Sequence, residues 1–217
     1  WIDLVCVDLY PLEEEIQRSG SSKESVLEKT DIGGPTMLRS AAKGRRIVIA
    51  DGADRDRVLQ WIRDGEKEKE KFLDDLAAKA EAVVSQYTLH SARYTSDNRY
   101  EGMLGEKIME VKGENGPQGP AALYKSDSHD PLSLASFRLI AGGAPSYNNL
   151  CDVDRMLQTI THAAAAFDLN RGTTPLIAVG VKHGNACGAA VGDSAQEVLE
   201  KMVSGSTRAI FGGLVMT

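Results

Sequence analysis

Lys182 and His183 place a cation and an imidazole side by side in the run Val181-Lys182-His183-Gly184-Asn185. Such a pair can stabilise a developing negative charge and move a proton in the same step. The apolar residues 176–180 before it read as a buried strand. Residues 186–192 after it are too small and too rich in glycine for a packed helix, and read as a permissive loop. A strand end that opens into a loop is where open α/β sheets bind ligands.

A second candidate is Asp31-Ile32-Gly33-Gly34-Pro35-Thr36, followed by a helical stretch at 37–43 that ends on Lys43. Two glycines permit a tight backbone, and Pro35 suits the first helical position. The loop would then offer free N–H groups to an anion at a helix N-terminus. An ordinary helix start is the competing reading. Three widely spaced cysteines (Cys6, Cys151, Cys187) fit a reducing compartment and read as partly buried thiols without chemistry. The four histidines (His90, His129, His162, His183) do not cluster, and no C-x-x-C occurs, which argues against zinc. His162 reads as a packed or capped helix residue.

These residues need elements to position them. Residues 2–9 read as a buried strand of a parallel sheet that ends at Tyr10-Pro11, and 46–51 as a second strand. Short helices are expected over 22–29 and 53–62. One long helix is expected over 65–87: its first turns alternate charge, and Phe72, Leu76, Ala80, Val83 and Tyr87 then make an apolar face. Residues 93–119 read as loop, 121–125 and 137–141 as short strands, and 142–150 as loop. Helices follow over 152–167 and 195–203. Strands alternating with helices predict α/β layers in both halves.

The bulk numbers bound the reading. A chain of 217 residues, 42% hydrophobic and 26% charged, can bury a core without staples. Its formal charge of −6 argues against a nucleic-acid groove, and no apolar run approaches the roughly 20 residues of a membrane helix. No signal peptide is visible, and both ends of the chain look cut inside strand-like runs, as in an internal piece of a longer protein.

Four segments together carry a resemblance. They are Asp8-Leu9-Tyr10-Pro11-Leu12; Asp31 through Lys43; Pro145-Ser146-Tyr147-Asn148-Asn149-Leu150-Cys151-Asp152; and Val181 through Gly188 with the trailing Ala209-Ile210-Phe211-Gly212-Gly213. In order and spacing they resemble the bifunctional AICAR transformylase/IMP cyclohydrolase family of purine biosynthesis. The resemblance implies an α/β chain in three parts: residues 1–64 as the end of a methylglyoxal-synthase-like cyclohydrolase domain, 65–92 as a connecting helix, and 93–217 as the first cytidine-deaminase-like transformylase subdomain. It implies formyl transfer from 10-formyltetrahydrofolate, as co-substrate, to AICAR, and closure of formyl-AICAR to IMP, with no metal required. It also implies a cytoplasmic homodimer that uses neither nucleic acid nor membrane.

Residue by residue, the resemblance makes Lys182 and His183 the catalytic pair of formyl transfer. Asn149 matches a family asparagine near the substrate, or simply caps its loop. Tyr10, Asp31 and Lys43 match cyclohydrolase active-site positions, and Gly33, Gly34 and Thr36 would lie near the nucleotide. The competing readings are that Tyr10 packs on its own proline and that Lys43 caps a helix C-terminus. The family's Arg-Tyr-Gly-Glu-Asn segment stands here as Val111-Lys112-Gly113-Glu114-Asn115, so Lys112 is the candidate contact to the nucleotide. A lysine does not reproduce the bidentate arginine grip on phosphate. Arg93-Tyr94 or Arg99-Tyr100 are alternatives for that role. A non-catalytic nucleotide-binding or assembly module is the second reading. A Rossmann oxidoreductase is disfavoured because no G-x-G-x-x-G opens a helix after a strand.

Overall fold

The computed structural model describes residues 2–113, 120–126 and 130–217. His129, Glu114 and Asn115, and most of the loop expected around them, lie outside the described residues. The chain is mixed α/β and divides into two compact units, 1–104 and 105–217.

The first unit is built on β1 (Leu4–Cys6) and β2 (Ile47–Ile49), paired in parallel as Leu4↔Ile47, Val5↔Val48 and Cys6↔Ile49. The strand expected over 2–9 is shorter and not buried, for Leu4 and Cys6 are exposed. Helices α1 (Leu12–Gln17), α2 (Lys23–Glu28) and α3 (Gly33–Lys43) lie between the strands, and α4 (Asp54–Arg63) and α5 (Lys69–Thr95) follow. Leu38, Val48, Val58, Leu76, Ala80 and Val84 form the core. Each leucine or valine among them contributes about 1.5–3 kcal/mol by leaving water. The buried stripe of α5 is Leu73, Leu76, Ala80 and Val84, so the face expected through Val83 and Tyr87 is turned by about a residue.

Helix α5 begins later and ends later than its charge pattern suggests. The Trp61 indole donates to the Lys67 carbonyl at 2.8 Å and its ring stacks on Phe72 at 4.3 Å, which holds the chain between α4 and α5 out of the helix. Glu66 and Glu68 accordingly sit in the left-handed region. At the far end Arg93 is helical, and its guanidinium donates to the Gly102 carbonyl at 2.7 Å, so the loop expected from 93 starts after Thr95. The helix expected as a connector packs its apolar stripe into the first unit's core.

Among its described residues the second unit holds two small antiparallel sheets. One joins β3 (Glu106–Val111) to β4 (Ala121–Lys125), and the other has the order β6-β5-β7, with β5 (Leu176–Lys182) between β6 (Asn185–Gly192) and β7 (Leu214–Met216). β5 is buried on both faces. Ile177, Val179 and Val181 face the long helix α6 (Tyr147–Arg171), and Ala178 faces α7 (Ala195–Ser204). A short helix α8 (Thr207–Ile210) precedes β7. The glycines of β5 and β6 are required by close packing: a Cβ on Gly180 would lie 2.4 Å from Ile210 Cδ1, and one on Gly188 2.8 Å from the Met202 carbonyl.

Several local expectations fail. Residues 186–192 form strand β6 rather than a loop, because β5 supplies ladder partners, with one bulge at Cys187, to residues whose own strand propensity is weak. β3 lies in a stretch expected to be loop. Residues 137–141 belong to no strand, and Phe137, Leu139 and Ile140 are exposed. Cys6 and Cys151 are exposed and only Cys187 is half-buried, so the thiols expected to be partly buried are mostly in solvent. His162 is likewise exposed, its Nδ1 2.6 Å from the Gln158 carbonyl one turn back.

Candidate active site

β5 and β6 are joined by a two-residue turn. Lys182 pairs with Asn185, and His183 and Gly184 between them have φ of +77° and +75°. Positive φ at both central residues marks a type I′ geometry, the tight turn whose twist matches its flanking strands. Glycine takes that conformation freely. Histidine is among the few side chains enriched there, at a cost on the order of 1 kcal/mol. The imidazole therefore stands exposed at the apex of a hairpin, in an antiparallel sheet rather than at the end of a parallel one.

Contacts from distant parts of the chain hold this hairpin end. The Lys182 ammonium donates to the Phe211 carbonyl at 2.5 Å, across 29 positions of sequence. One donor is so occupied and two remain. The Asn185 side-chain amide donates to the His183 carbonyl at 3.0 Å. The Gly184 N–H donates to Asp152 Oδ1 at 2.6 Å, and Asp152 is buried on α6. In the sequence Asp152 closes the third resemblance segment and opens an expected helix, with no role of its own.

That helix starts at Tyr147 instead, five residues earlier, because Ser146 and Asn149 close a capping box. The Asn149 N–H donates to Ser146 Oγ at 3.2 Å, while Asn149 Oδ1 accepts from the Ser146 N–H at 3.1 Å and from its hydroxyl at 3.0 Å. Asn149 is thus a helix cap whose carbonyl side is occupied, and its Nδ2 protons are what it can offer a ligand. Lys112 joins the same end of α6 through its backbone: it bridges Ser146, and its carbonyl accepts from the Tyr147 N–H at 3.0 Å. Its side chain is exposed. Lys112, Asn149, Asp152, Lys182 and His183 are therefore brought together around the start of α6 and the β5–β6 turn.

In the first unit the Asp31 loop is closed rather than open. Asp31 Oδ1 accepts from the Gly34 N–H at 2.7 Å, so the donor expected to await an anion already has a carboxylate. Gly33 and Gly34 are the first two residues of α3 and Pro35 the third, still within the turn where a missing N–H costs nothing. A Cβ on Gly34 would lie 2.4 Å from Asp31 Oδ2 and 2.6 Å from Leu9 Cδ2, so both side chains would have to shift. This packing puts Leu9, and so its exposed neighbour Tyr10, beside the Asp31 loop. Tyr87 of α5 secures the segment from behind, donating to the Lys29 carbonyl at 2.9 Å and accepting from the Asp31 N–H at 2.6 Å. Burial pushes its phenol pKa up. Thr36 and Lys43 line one open depression with Arg39 and Ser40, facing Glu81 and Thr88 of α5. Lys43 lies at the opposite end of α3 from Gly33, about 15 Å along the axis at 1.5 Å per residue.

Arg93, Tyr94, Arg99 and Tyr100 all belong to the first unit. Arg93 is engaged with Glu101, and the Arg99 guanidinium lies 4.9 Å from the Tyr100 ring centre. Among the described residues no group of three or more His, Cys, Asp or Glu could hold a metal, and no helix is long and apolar enough to cross a membrane.

The chain is 35% identical to a bifunctional purine biosynthesis protein PurH of Listeria monocytogenes serotype 4b, over 99% of this chain and 42% of that protein. The proteins of the same name from Oceanobacillus iheyensis and Rhodopirellula baltica are 32% and 34% identical, over 99% and 98% of this chain and 41% and 40% of theirs. The chain thus spans about two fifths of the length of the curated relatives it matches. The model of the AICARFT/IMPCHase bienzyme family matches residues 41–217, well over half of the chain. With that extent of match, the chain belongs to the AICARFT/IMPCHase bienzyme family.

Proposed function

We propose that this chain is part of an enzyme that transfers a formyl group from 10-formyltetrahydrofolate to AICAR and then closes formyl-AICAR to IMP. The second unit would be the first cytidine-deaminase-like part of the transformylase, and the first unit the end of a methylglyoxal-synthase-like cyclohydrolase. The observation that most supports this is the exposed His183 imidazole, carried on a turn whose backbone is tied down on both sides. A proton acceptor beside an ammonium suits acyl transfer to a weak nucleophile. The AICAR amine is weak because its lone pair is delocalised into the ring and carboxamide.

In this reading the amine nitrogen bonds to the formyl carbon as His183 takes the amine proton. Lys182 stabilises the tetrahedral oxyanion with the donors not given to Phe211. Collapse breaks the bond from the formyl carbon to the folate nitrogen, which receives the proton as it leaves. Asn149 and Lys112, beside the start of α6, would contact the nucleotide. In ring closure the carboxamide nitrogen would attack the formyl carbon while Tyr10 donates to the formyl oxygen; the carbinol C–O bond then breaks and the oxygen leaves as water as the former amine nitrogen gives up its proton, with Asp31 and the Gly33–Gly34–Thr36 segment near the substrate. Lys43, at the other end of α3, would supply charge rather than a proton. Neither step calls for a metal, and we expect a cytoplasmic homodimer.

One observation favours a second reading, a nucleotide-binding module without turnover: Lys112 stands where the family has tyrosine, after Val111 in place of its arginine. The full-length parent protein decides between them. His183→Ala is expected to lower formyl-transfer kcat at least about a hundredfold, the usual share of a general base. Near-normal turnover by the folded variant overturns the role of His183. AICAR binding by calorimetry with no turnover in the full-length wild type establishes the binding module.

A further inference from the structure

We propose that Asp152 is the positioning residue of the formyl-transfer centre, acting on His183 through the peptide that joins it to Gly184. The proposal rests on the formyl-transfer reading given above.

Asp152 is 7% exposed, yet its carboxylate is met by a main-chain N–H rather than a cation. A buried carboxylate costs several kcal/mol unless its oxygens are satisfied. A charge-assisted bond at 2.6 Å to an amide 32 residues away is a strong and specific way to satisfy one of them. The amide belongs to the strained part of the hairpin. Its peptide plane has the His183 carbonyl at one end and the Gly184 N–H at the other. Asn185 Nδ2 holds the first at 3.0 Å and Asp152 Oδ1 holds the second at 2.6 Å. Fixing both ends of a peptide plane fixes ψ of His183, while the ladder through Lys182 fixes the chain before it. The direction of the His183 Cα–Cβ bond is then set by the backbone, although its side chain is in solvent.

The support beneath Asp152 is rigid. Met156, one turn further along α6, is 2% exposed and packs with Ile177, Val179 and Val181 of β5. The same helix face therefore carries the acceptor that holds the turn and the core that holds the strand. Without the acceptor, His183 is free to leave a conformation that costs on the order of 1 kcal/mol. The imidazole would then sample directions from which it cannot reach the substrate amine, and misplacement of about 1 Å can cost a hundredfold in rate.

The test uses the full-length parent and two readouts. In the first, Asp152→Ala is expected to lower formyl-transfer kcat about ten- to a hundredfold and to leave KM for AICAR within about threefold. Asp152→Asn keeps a carbonyl acceptor and is expected to restore kcat to within about fivefold of wild type. A residue that only stabilised the fold would not give that split or that rescue. Should Asp152→Ala not fold, Asn185→Ala frees the other end of the same peptide plane from an exposed position and is expected to lower kcat about threefold. In the second readout, nuclear magnetic resonance follows the Gly184 amide proton, expected downfield and slow to exchange in wild type and shifted upfield in Asp152→Asn. Wild-type kcat in Asp152→Ala, with His183→Ala inactive, overturns the positioning role alone. Absence of turnover in the wild type itself overturns the functional reading instead, and the Gly184 resonance still decides whether Asp152 holds the turn. An unshifted resonance overturns it.

Discussion

Each unit sets an aspartate against the N–H of a glycine, and the two do different work. Asp31 reaches Gly34 three residues ahead at 2.7 Å, half-buried, and finishes the first turn of α3. Asp152 reaches Gly184 thirty-two residues ahead at 2.6 Å, from a buried position, and clamps a hairpin to a helix. The local bond occupies a donor that an anion would otherwise find. The long-range bond takes a donor on the side of the turn that faces α6 and leaves the imidazole exposed. One chemical pair thus closes a helix end in one unit and presents a side chain in the other.

The comparison can be tested in the first unit with a selective probe, since both tryptophans, Trp1 and Trp61, precede residue 105 in the sequence. The largest effect is expected from Gly34→Ala, whose Cβ would press on both Asp31 and Leu9. Overpacking of this kind costs about 1–3 kcal/mol. Urea unfolding followed by tryptophan fluorescence should show it, and an unchanged midpoint would mean that the Asp31 loop is not held as described. Tyr87→Phe comes next, at about 1–2 kcal/mol, because it leaves the Asp31 N–H and the Lys29 carbonyl without the hydroxyl between them. The phenol pKa is raised, so the hydroxyl keeps its proton and the penalty should be the same at pH 7 and pH 9. A penalty that vanishes at pH 9 would show that the phenol ionises there. Asp31→Ala is expected to cost about 1 kcal/mol, the usual worth of a helix cap. A loss as large as that of Gly34→Ala would break the contrast between a local cap and a long-range clamp.

Much of the scaffold was legible in the residues themselves. The apolar run 176–180 is the start of β5, buried on both faces, and its continuous pattern follows from helices on either side. The helix expected over 22–29 forms as α2, with Ser22 as its cap. The errors have a common source. Asn185 to Gly192 has little intrinsic tendency to be a strand and becomes one because β5 lies beside it, whereas Phe137 to Ile140 has that tendency and no ladder to join. The start of α5 was misplaced because a tryptophan six residues away in sequence claims the Lys67 carbonyl.

The candidate site divides in the same way. The sequence alone identified the Lys182-His183 pair, the motifs that travel with it, and the family to which the chain belongs, because residue types and spacings are written in order along the chain. A helical cap and a tight turn are also local, since their partners lie within four residues. Only the tertiary structure showed that Phe211 receives the Lys182 ammonium and that Asp152 receives the Gly184 N–H. Those partners lie 29 and 32 residues away, and no local pattern specifies them. They meet because α6 and β7 both pack on β5, and the burial of Met156, Val179 and Val181 drives that packing.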